Sequence, residues 1–576
     1  MFVAFHFKKQ SASRALTAAA RIAVLTATFH TTSCLAVEAV VPAIGALLVT
    51  RVAPEVSPAN SLLGLARDES ATEAFDDTLE IAVHGIATTG NTVFTDEQLS
   101  HLLAHLVGRA WTLKQLMGSV RSISALYEQA GYPLVNVSIP EQTLDEGVLK
   151  IEVIEGTWGE VLLEHRHHGS DRLLRLATKN LRKGELIRQS DIDRSTMLLA
   201  DIVGRSISAR LRPGAEYSAS DFIISGEDKD SLAGNFTLNN FGSVATGRTQ
   251  ANIQLQMNGL AAQGESIALD ALSAGEGLNR IGLTSEWPLN VQALRLGLAH
   301  SVVNYQLVGE ARSIGAHGWA QQSSLWLRQS LVKVGSTALN VQLQFDHLDL
   351  DDLASAAPEP NNPRSIQVLG LTLDGDVPSN VQLGSHTRWS LGMASGLLQL
   401  LSSSMQAYDA ALSETQGQFT RINFSTTHSR ELTKLYSLNA LMLLQWSDRN
   451  LDISQKAALG GARSIRAYEP GVLSGDASVS FNLEIKRALG YWLEGQWVGS
   501  AFVDYGWIKV NSKPWVDVEN EAVVAAFGLG LQGALSKSWR ISLSAADTLG
   551  AIPTSLQGVR SRRSGVWFEL GKSLAF

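Results

Sequence analysis

The segment from Leu459 to Asp476 reads LGGARSIRAYEPGVLSGD, and its centre, Ser464-Ile465-Arg466-Ala467-Tyr468, sets the Arg466 guanidinium in a Gly-flanked loop. Further along, Phe502-Val503-Asp504-Tyr505-Gly506 offers a carboxylate within a strand-like run. A cation fixed on a loop and an anion fixed on a wall can close as a latch, because a guanidinium presents a planar fork that matches a carboxylate. An arginine in a polar loop is ordinarily just solvated. The company of Arg466 argues for more: Gly460 and Gly461 before it, Ser464, Ile465 and Tyr468 beside it, Gly475 and Asp476 after it.

Other reactive-looking groups carry less. His165, His167 and His168 lack a partnering cysteine or spaced carboxylates, so a solvated turn is the better reading than a metal site. Asp346, Asp349, Asp351 and Asp352 precede a Pro/Asn-rich stretch through Pro363 without EF-hand spacing, which predicts a solvated loop. Gly528-Leu529-Gly530-Leu531-Gln532-Gly533 satisfies G-x-G-x-x-G, but it lies in alternating strand pattern with no convincing helix after it. No Walker motif occurs, and no nucleophile–base–orienter spacing stands out. The expectation is a protein that is not an enzyme and uses no cofactor or metal.

The elements that would hold Arg466 and Asp504 are strands. Hydrophobic residues make up 45% of the 576, yet past the first 36 residues no run of 18 or more is wholly apolar, which argues against membrane helices. A net charge of −8 and the lack of a basic tract argue against a nucleic-acid partner. After Asp230 nearly every stretch alternates. Ala251, Ile253, Leu255 and Met257 oppose Asn252, Gln254, Gln256 and Asn258; Leu339, Val341, Leu343 and Phe345 oppose Asn340, Gln342 and Gln344; Val479, Phe481, Leu483 and Ile485 oppose Ser480, Asn482 and Glu484. One face of each run is oily and the other wet, as a membrane barrel around a water-filled lumen requires. Residues 231–576 leave roughly 22 residues for each of sixteen strands, ample for membrane strands of about ten. The barrel must close, since an open edge in lipid leaves backbone groups unsatisfied.

Upstream, Lys8, Lys9 and Arg14 followed by a small, mostly apolar stretch predict a signal peptide over 1–36. Cys34 is the sole cysteine; Thr31 stands where a lipobox usually carries Leu, which weighs against lipidation. Residues 37–77 read as an N-terminal segment ending in a Pro-rich linker. From 78 to 156 the order is β-α-α-β-β, with an apolar stripe of Leu116, Val120, Ile123 and Tyr127 on the second helix and a stop at Gly131-Tyr132-Pro133. A weaker copy of that order spans 157–230.

The wording GYPLVNVSIPEQTLDEGVLKIEVIEG closely resembles the first POTRA (polypeptide-transport-associated) module of two-partner secretion transporters. The SIRAY and FVDYG segments resemble that family's signature. The terminal strand, with Val566, Phe568, Leu570, Leu574 and Phe576 on one face and Lys572 interrupting it, resembles the C-terminal signal read by the barrel-assembly machinery. The resemblance implies two POTRA domains, at 78–156 and 157–230, before a sixteen-stranded antiparallel outer-membrane β-barrel at 231–576. It implies a plug helix within 37–77 and a lid loop at about 452–476 that enters the lumen, where Arg466 pairs with Asp504. About five strands follow this loop, so with a periplasmic C-terminus it is an extracellular connection. The implied function is export of a partner exoprotein without nucleotide hydrolysis, with outer-membrane lipid and the barrel-assembly machinery as further partners. A barrel-assembly factor of the same superfamily and a passive porin are the alternatives. Relatives usually carry Gly after the arginine, and this chain has Ala467; if that position needs φ > 0, the loop tip sits differently.

Overall fold

The computed structural model describes residues 80–575 apart from 144–146, 165–173, 176, 201–204, 229–231, 260–263, 290–293, 335–336, 355–360, 381–383, 536–537, 551–552 and 554–563. The expected signal peptide, the 37–77 segment with its plug helix, His165, His167, His168 and Phe576 lie outside the described residues.

In the first module, Thr95 and Thr112 each open a helix with a capping box, Asp96–Leu102 and Leu113–Gln129. Each threonine accepts from the backbone N–H three residues on, and the glutamine there reaches back. The longer helix lays Leu116, Val120, Ile123 and Tyr127 against Leu149, Ile151 and Val153 of the strand Val148–Glu155. The N-terminal strand divides at His84. Glu80–Val83 pairs with the short Arg109–Thr112, while Gly85–Thr89 runs parallel to Val148–Glu155. Arg109–Thr112 is too short to show alternation, which hid it in the sequence. A second unit repeats the plan: Val161, Phe222 and Ile224 of a three-stranded sheet pack with the helix Gln189–Ala200.

Sixteen antiparallel strands then form one closed barrel, from Leu232–Asn239 to Ser564–Ala575. The first and last strands meet over seven paired positions, Glu569 with Asn239 through Ala575 with Ala233. Beyond them the Asn240 side chain extends the ladder, donating to Val566 O (2.9 Å) and accepting from Phe568 N (2.8 Å). The alternation has its expected meaning. Leu343, Phe345, Phe481, Leu483 and Ile485 are exposed on the outer face. Gln342 and Gln344, on the inner face, join a chain of hydrogen bonds ending on Asp346. Lys572 sits 5.1 Å from the Trp539 ring centre on the outside, an arrangement suited to a membrane interface. Gly528 to Gly533 belong to the barrel strand Glu521–Ala534.

Two expectations need correction. Asp346, Asp349, Asp351 and Asp352 are not in a loop: the strand Thr337–Ala354 runs through all four, and its partner begins at Asn361 and includes Pro363. A strand pair this long projects past the apolar belt, so carboxylates on it meet water or the lumen instead of lipid. The inner wall is also not uniformly wet. Val303, Tyr305, Leu348, Leu350, Ile366, Val368, Leu398, Leu400 and Phe419 form a buried inward-facing cluster.

Candidate functional site

Between the strands Tyr436–Ser447 and Ala477–Trp492 the chain leaves the wall and folds inward. Asp452 caps a short 3₁₀ turn, Ile453–Gln455, and a two-stranded stem follows, Ala457–Leu459 paired with Leu473–Gly475. Gly460 turns the chain off the stem at φ +101°, and a Cβ there would stand 2.1 Å from Glu469 O. Gly461 N donates to Tyr468 O (2.9 Å) and Tyr468 N to Ile465 O (3.1 Å), closing a tight turn with Arg466 and Ala467 at its corner. Ala467 is not among the residues with positive φ. Its methyl group is buried with Leu459, Ile465, Tyr468 and Leu473 against Phe502, Ile508, Val524 and Ala546 of the wall. Position 467 therefore does not need φ > 0 in this turn, and alanine sits there without left-handed strain.

At this corner Arg466 and Asp504 meet. Arg466 Nη2 lies 2.7 Å from Asp504 Oδ1, and Nε 2.9 Å from Oδ2. The Arg466 backbone N–H also donates to Oδ2, at 3.0 Å. Asn482 Nδ2 bridges Asp504 Oδ1 (2.9 Å) and Ser464 O (2.7 Å). Asp504 is wholly buried, so it depends on these donors for the solvation it has lost. The guanidinium carbon stands over the Phe502 ring, 3.2 Å from its centre, and Nη1 is 3.5 Å from Glu484 Oε2. Gly506 leaves room for Leu459 and Ile465 to touch the wall.

The loop reaches further than the sequence indicated. Trp567 Nε1, on the last strand, donates to Arg466 O at 2.6 Å, and Gly565 beside it is so close that a Cβ would stand 2.1 Å from that oxygen. Arg248, after the first strand, is ion-paired with Glu469. Asp476 is also buried: it accepts from Leu451 N (3.0 Å) and Ser512 N (2.7 Å), fastening both ends of the loop to the neighbouring connection. Phe568, Leu570 and Leu574 lie on the last strand, away from this cluster. Asn482 and Glu484 were visible only as members of a wet strand face; Trp567 and Arg248 gave no signal, because only closure of the barrel brings them to the loop.

Two family models match the chain: the POTRA domain, ShlB-type, over residues 81–156, and the haemolysin secretion/activation protein family ShlB/FhaC/HecB over residues 218–533. The second covers more than half of the sequence. The chain belongs to this family. It is thereby an outer-membrane transporter that secretes a partner exoprotein, with POTRA structure ahead of the barrel, and it belongs to a family of transporters and not of enzymes. The heme/hemopexin transporter protein HuxB of Haemophilus influenzae is 25% identical over 507 residues, covering 87% of this chain and 89% of that protein. The outer membrane transporter CdiB of Dickeya dadantii is 21% identical over 412 residues, 69% of this chain and 70% of its own. The solved structure of CdiB from Escherichia coli shares the fold, with a TM-score of 0.68 at 17% identity over 88% of this chain and 93% of that one.

Proposed function

We propose that the 452–476 lid is the gate of this secretion pore and that Arg466 with Asp504 is its latch. The observation that carries this reading is the wholly buried Asp504 carboxylate, held by three donors from Arg466 at 2.7–3.0 Å. A desolvated charge pair is stable only while both partners are present, so it can hold a lid in one place and release it as a unit. With the lid docked, its stem and apolar underside occupy space along the inner wall; an extended exoprotein needs that space, so the lid swings outward during transport.

The two modules, 78–156 and 157–230, receive the unfolded exoprotein on the periplasmic side. Strand addition suits them, because Thr157–Glu164 is an edge strand of its sheet whose second half exposes Leu162 and Leu163, while its start is covered where Trp158 bonds to Gly184 and Glu185. No nucleotide is consumed; binding, and folding outside the cell, give direction. Lipid surrounds the exposed apolar belt, and the last strand, with Phe568, Leu570 and Leu574, followed in sequence by the terminal Phe576, is what the barrel-assembly machinery reads during biogenesis.

The test is secretion of a co-expressed partner exoprotein. Deleting residues 78–227 is expected to abolish export while leaving a folded barrel in the outer membrane. Export that continues unchanged overturns the capture role. A double-mutant cycle between Arg466 and Asp504 that shows no coupling energy overturns the latch.

A further inference from the structure

Arg364 is the largest charged side chain that the barrel buries completely, with 1% of its surface exposed. It lies near the start of the eighth strand, Asn361–Asn380, on the inner face. Its Nη1 is 2.7 Å from Asp352 Oδ2 on the seventh strand, and its Nε is 2.7 Å from Asp452 Oδ2 at the root of the lid. Tyr305 Oη donates to the other Asp352 oxygen at 2.8 Å. Leu451, the residue before Asp452, is buried in the apolar cluster of the inner wall with Leu350, Ile366 and Leu400. The lid root thus enters an apolar pocket and presents one carboxylate there to a wall cation.

Nothing in this arrangement is shared with the latch. Arg466 meets the thirteenth strand, Gly495–Lys509, and through Trp567 the sixteenth. In a closed ring of sixteen, the eighth strand stands opposite the sixteenth. The lid is therefore fastened at both sides of the mouth, like a bar. We propose that Asp352–Arg364–Asp452 is a second lock on the lid, with Arg364 a positioning residue that holds the root against the wall five strands from Asp504 and opposite the Trp567 contact. Opening the pore then requires both locks to release. The proposal rests on the lid being the gate.

The test is the open fraction of the purified full chain in planar lipid bilayers. Asp452→Asn, Asp504→Asn and the double variant are compared, with folding checked by heat-modifiable gel mobility. Asp452→Asn removes the charge yet keeps an oxygen for Ser454 N, 2.9 Å away in the native lid. Leaving Arg364 with one of its two carboxylates is expected to raise the open fraction about tenfold, a cautious figure for weakening a buried charge group. The double variant is expected to multiply the two single effects, because the sites share no partner. Exchanging the charges, Arg364→Asp with Asp452→Arg, in a background of Asp352→Asn that avoids two adjacent buried carboxylates, restores much of the closed state, which a merely structural role at either position would not do. An open fraction unchanged in Asp452→Asn but raised in Asp504→Asn overturns the second lock and leaves the gate standing. No change in either variant overturns both. If the exchanged protein does not fold, Asp452→Asn still decides, since the substitution lies on the loop and leaves the wall intact.

Discussion

The tip and the root of the lid are fastened by the same residue types with the roles exchanged. At the tip the loop brings the arginine and the wall the aspartate; at the root the wall holds Arg364 and the loop brings Asp452. The supporting cast differs. Asp504 accepts from the Arg466 main chain and from Asn482 as well as from the guanidinium, and Phe502 supports the cation from below. Arg364 has two carboxylates and the Asn362 carbonyl, with no aromatic face. The tip is thus a recognition site with several independent contacts, and the root is closer to a bare charge clamp in an apolar setting.

That difference predicts an asymmetry at the tip. Asp504→Ala leaves the guanidinium with only the longer contact to Glu484 Oε2 (3.5 Å) and the Phe502 ring, and is expected to destabilise the docked lid by about 3–5 kcal/mol. Arg466→Ala should cost clearly less, because Asp504 keeps the main-chain N–H of residue 466 and Asn482 Nδ2. Melting temperature and open fraction of the two variants check this. Equal losses would mean that the side-chain pair alone holds the tip.

The base of the lid offers the next effect. Asp476→Ala removes the acceptor of Leu451 N and Ser512 N together, and hydrogen bonds to a charged group are worth about 1.5–3 kcal/mol each. Since Leu451 adjoins Asp452, this change is expected to loosen the root before the tip. Hydrogen exchange should therefore accelerate around residues 450–456 while Arg466 N stays protected. Reversed order would show that the base belongs mechanically to the tip.

Why one end was legible and the other was not follows from where their residues lie. Arg466 is announced by Gly460, Gly461 and Tyr468 within a few positions, and Asp504 by the compact FVDYG run. The strands were legible too, since alternation survives wherever one face meets lipid, and sixteen strands suited the available length. Asp352, Arg364 and Asp452 have no such locality. They are spread over a hundred residues, and only the pairing of Asp352 with Asn362 and the inward path of the loop join them. Polar, Pro-interrupted sequence around Pro363 reads as loop because proline weakens any strand assignment, yet register with the neighbouring strands overrides it. Ala467 is the opposite case. The sequence raised a concern about φ that the turn, built without a left-handed residue there, removes.

A smaller perturbation tests how closely the tip fits the seam of the barrel. Gly565→Ala places a methyl group against Arg466 O, where neither the strand nor the turn can easily give way. The expected cost is about 1–3 kcal/mol, typical of overpacking. Gly506→Ala meets only the ends of the Leu459 and Ile465 side chains, at 2.9–3.2 Å, and should cost less. Comparing the two melting temperatures separates backbone contact from side-chain packing. If Gly506→Ala proves the worse, the apolar underside rather than the Trp567 contact seats the tip.

The first module supplies a buried carboxylate held, among the described residues, by hydrogen bonds and no cation, and with it the gentlest contrast to the lid. Glu155 accepts from Thr92 N (2.7 Å), Val93 N (3.0 Å) and Tyr127 Oη (2.6 Å), and also from the Thr92 hydroxyl. Burial on its own would raise this carboxyl, but the bonds from Thr92, Tyr127 and Val93 outweigh it and hold the group below its ordinary value. A carboxyl depressed in the folded state stabilises that state fully above its unfolded value, about 4.3, and loses the contribution as pH falls through the folded value. Hydrogen-exchange protection of the helix Leu113–Gln129, corrected for intrinsic rate, is therefore expected to be flat above about pH 5 and to decline below about 4.3. Glu155→Gln should remove most of that slope, since a neutral amide oxygen keeps an acceptor and has no proton to gain. A slope that survives the substitution would place the titration elsewhere in the module and leave hydrogen bonds alone insufficient to hold a buried carboxylate in its charged form.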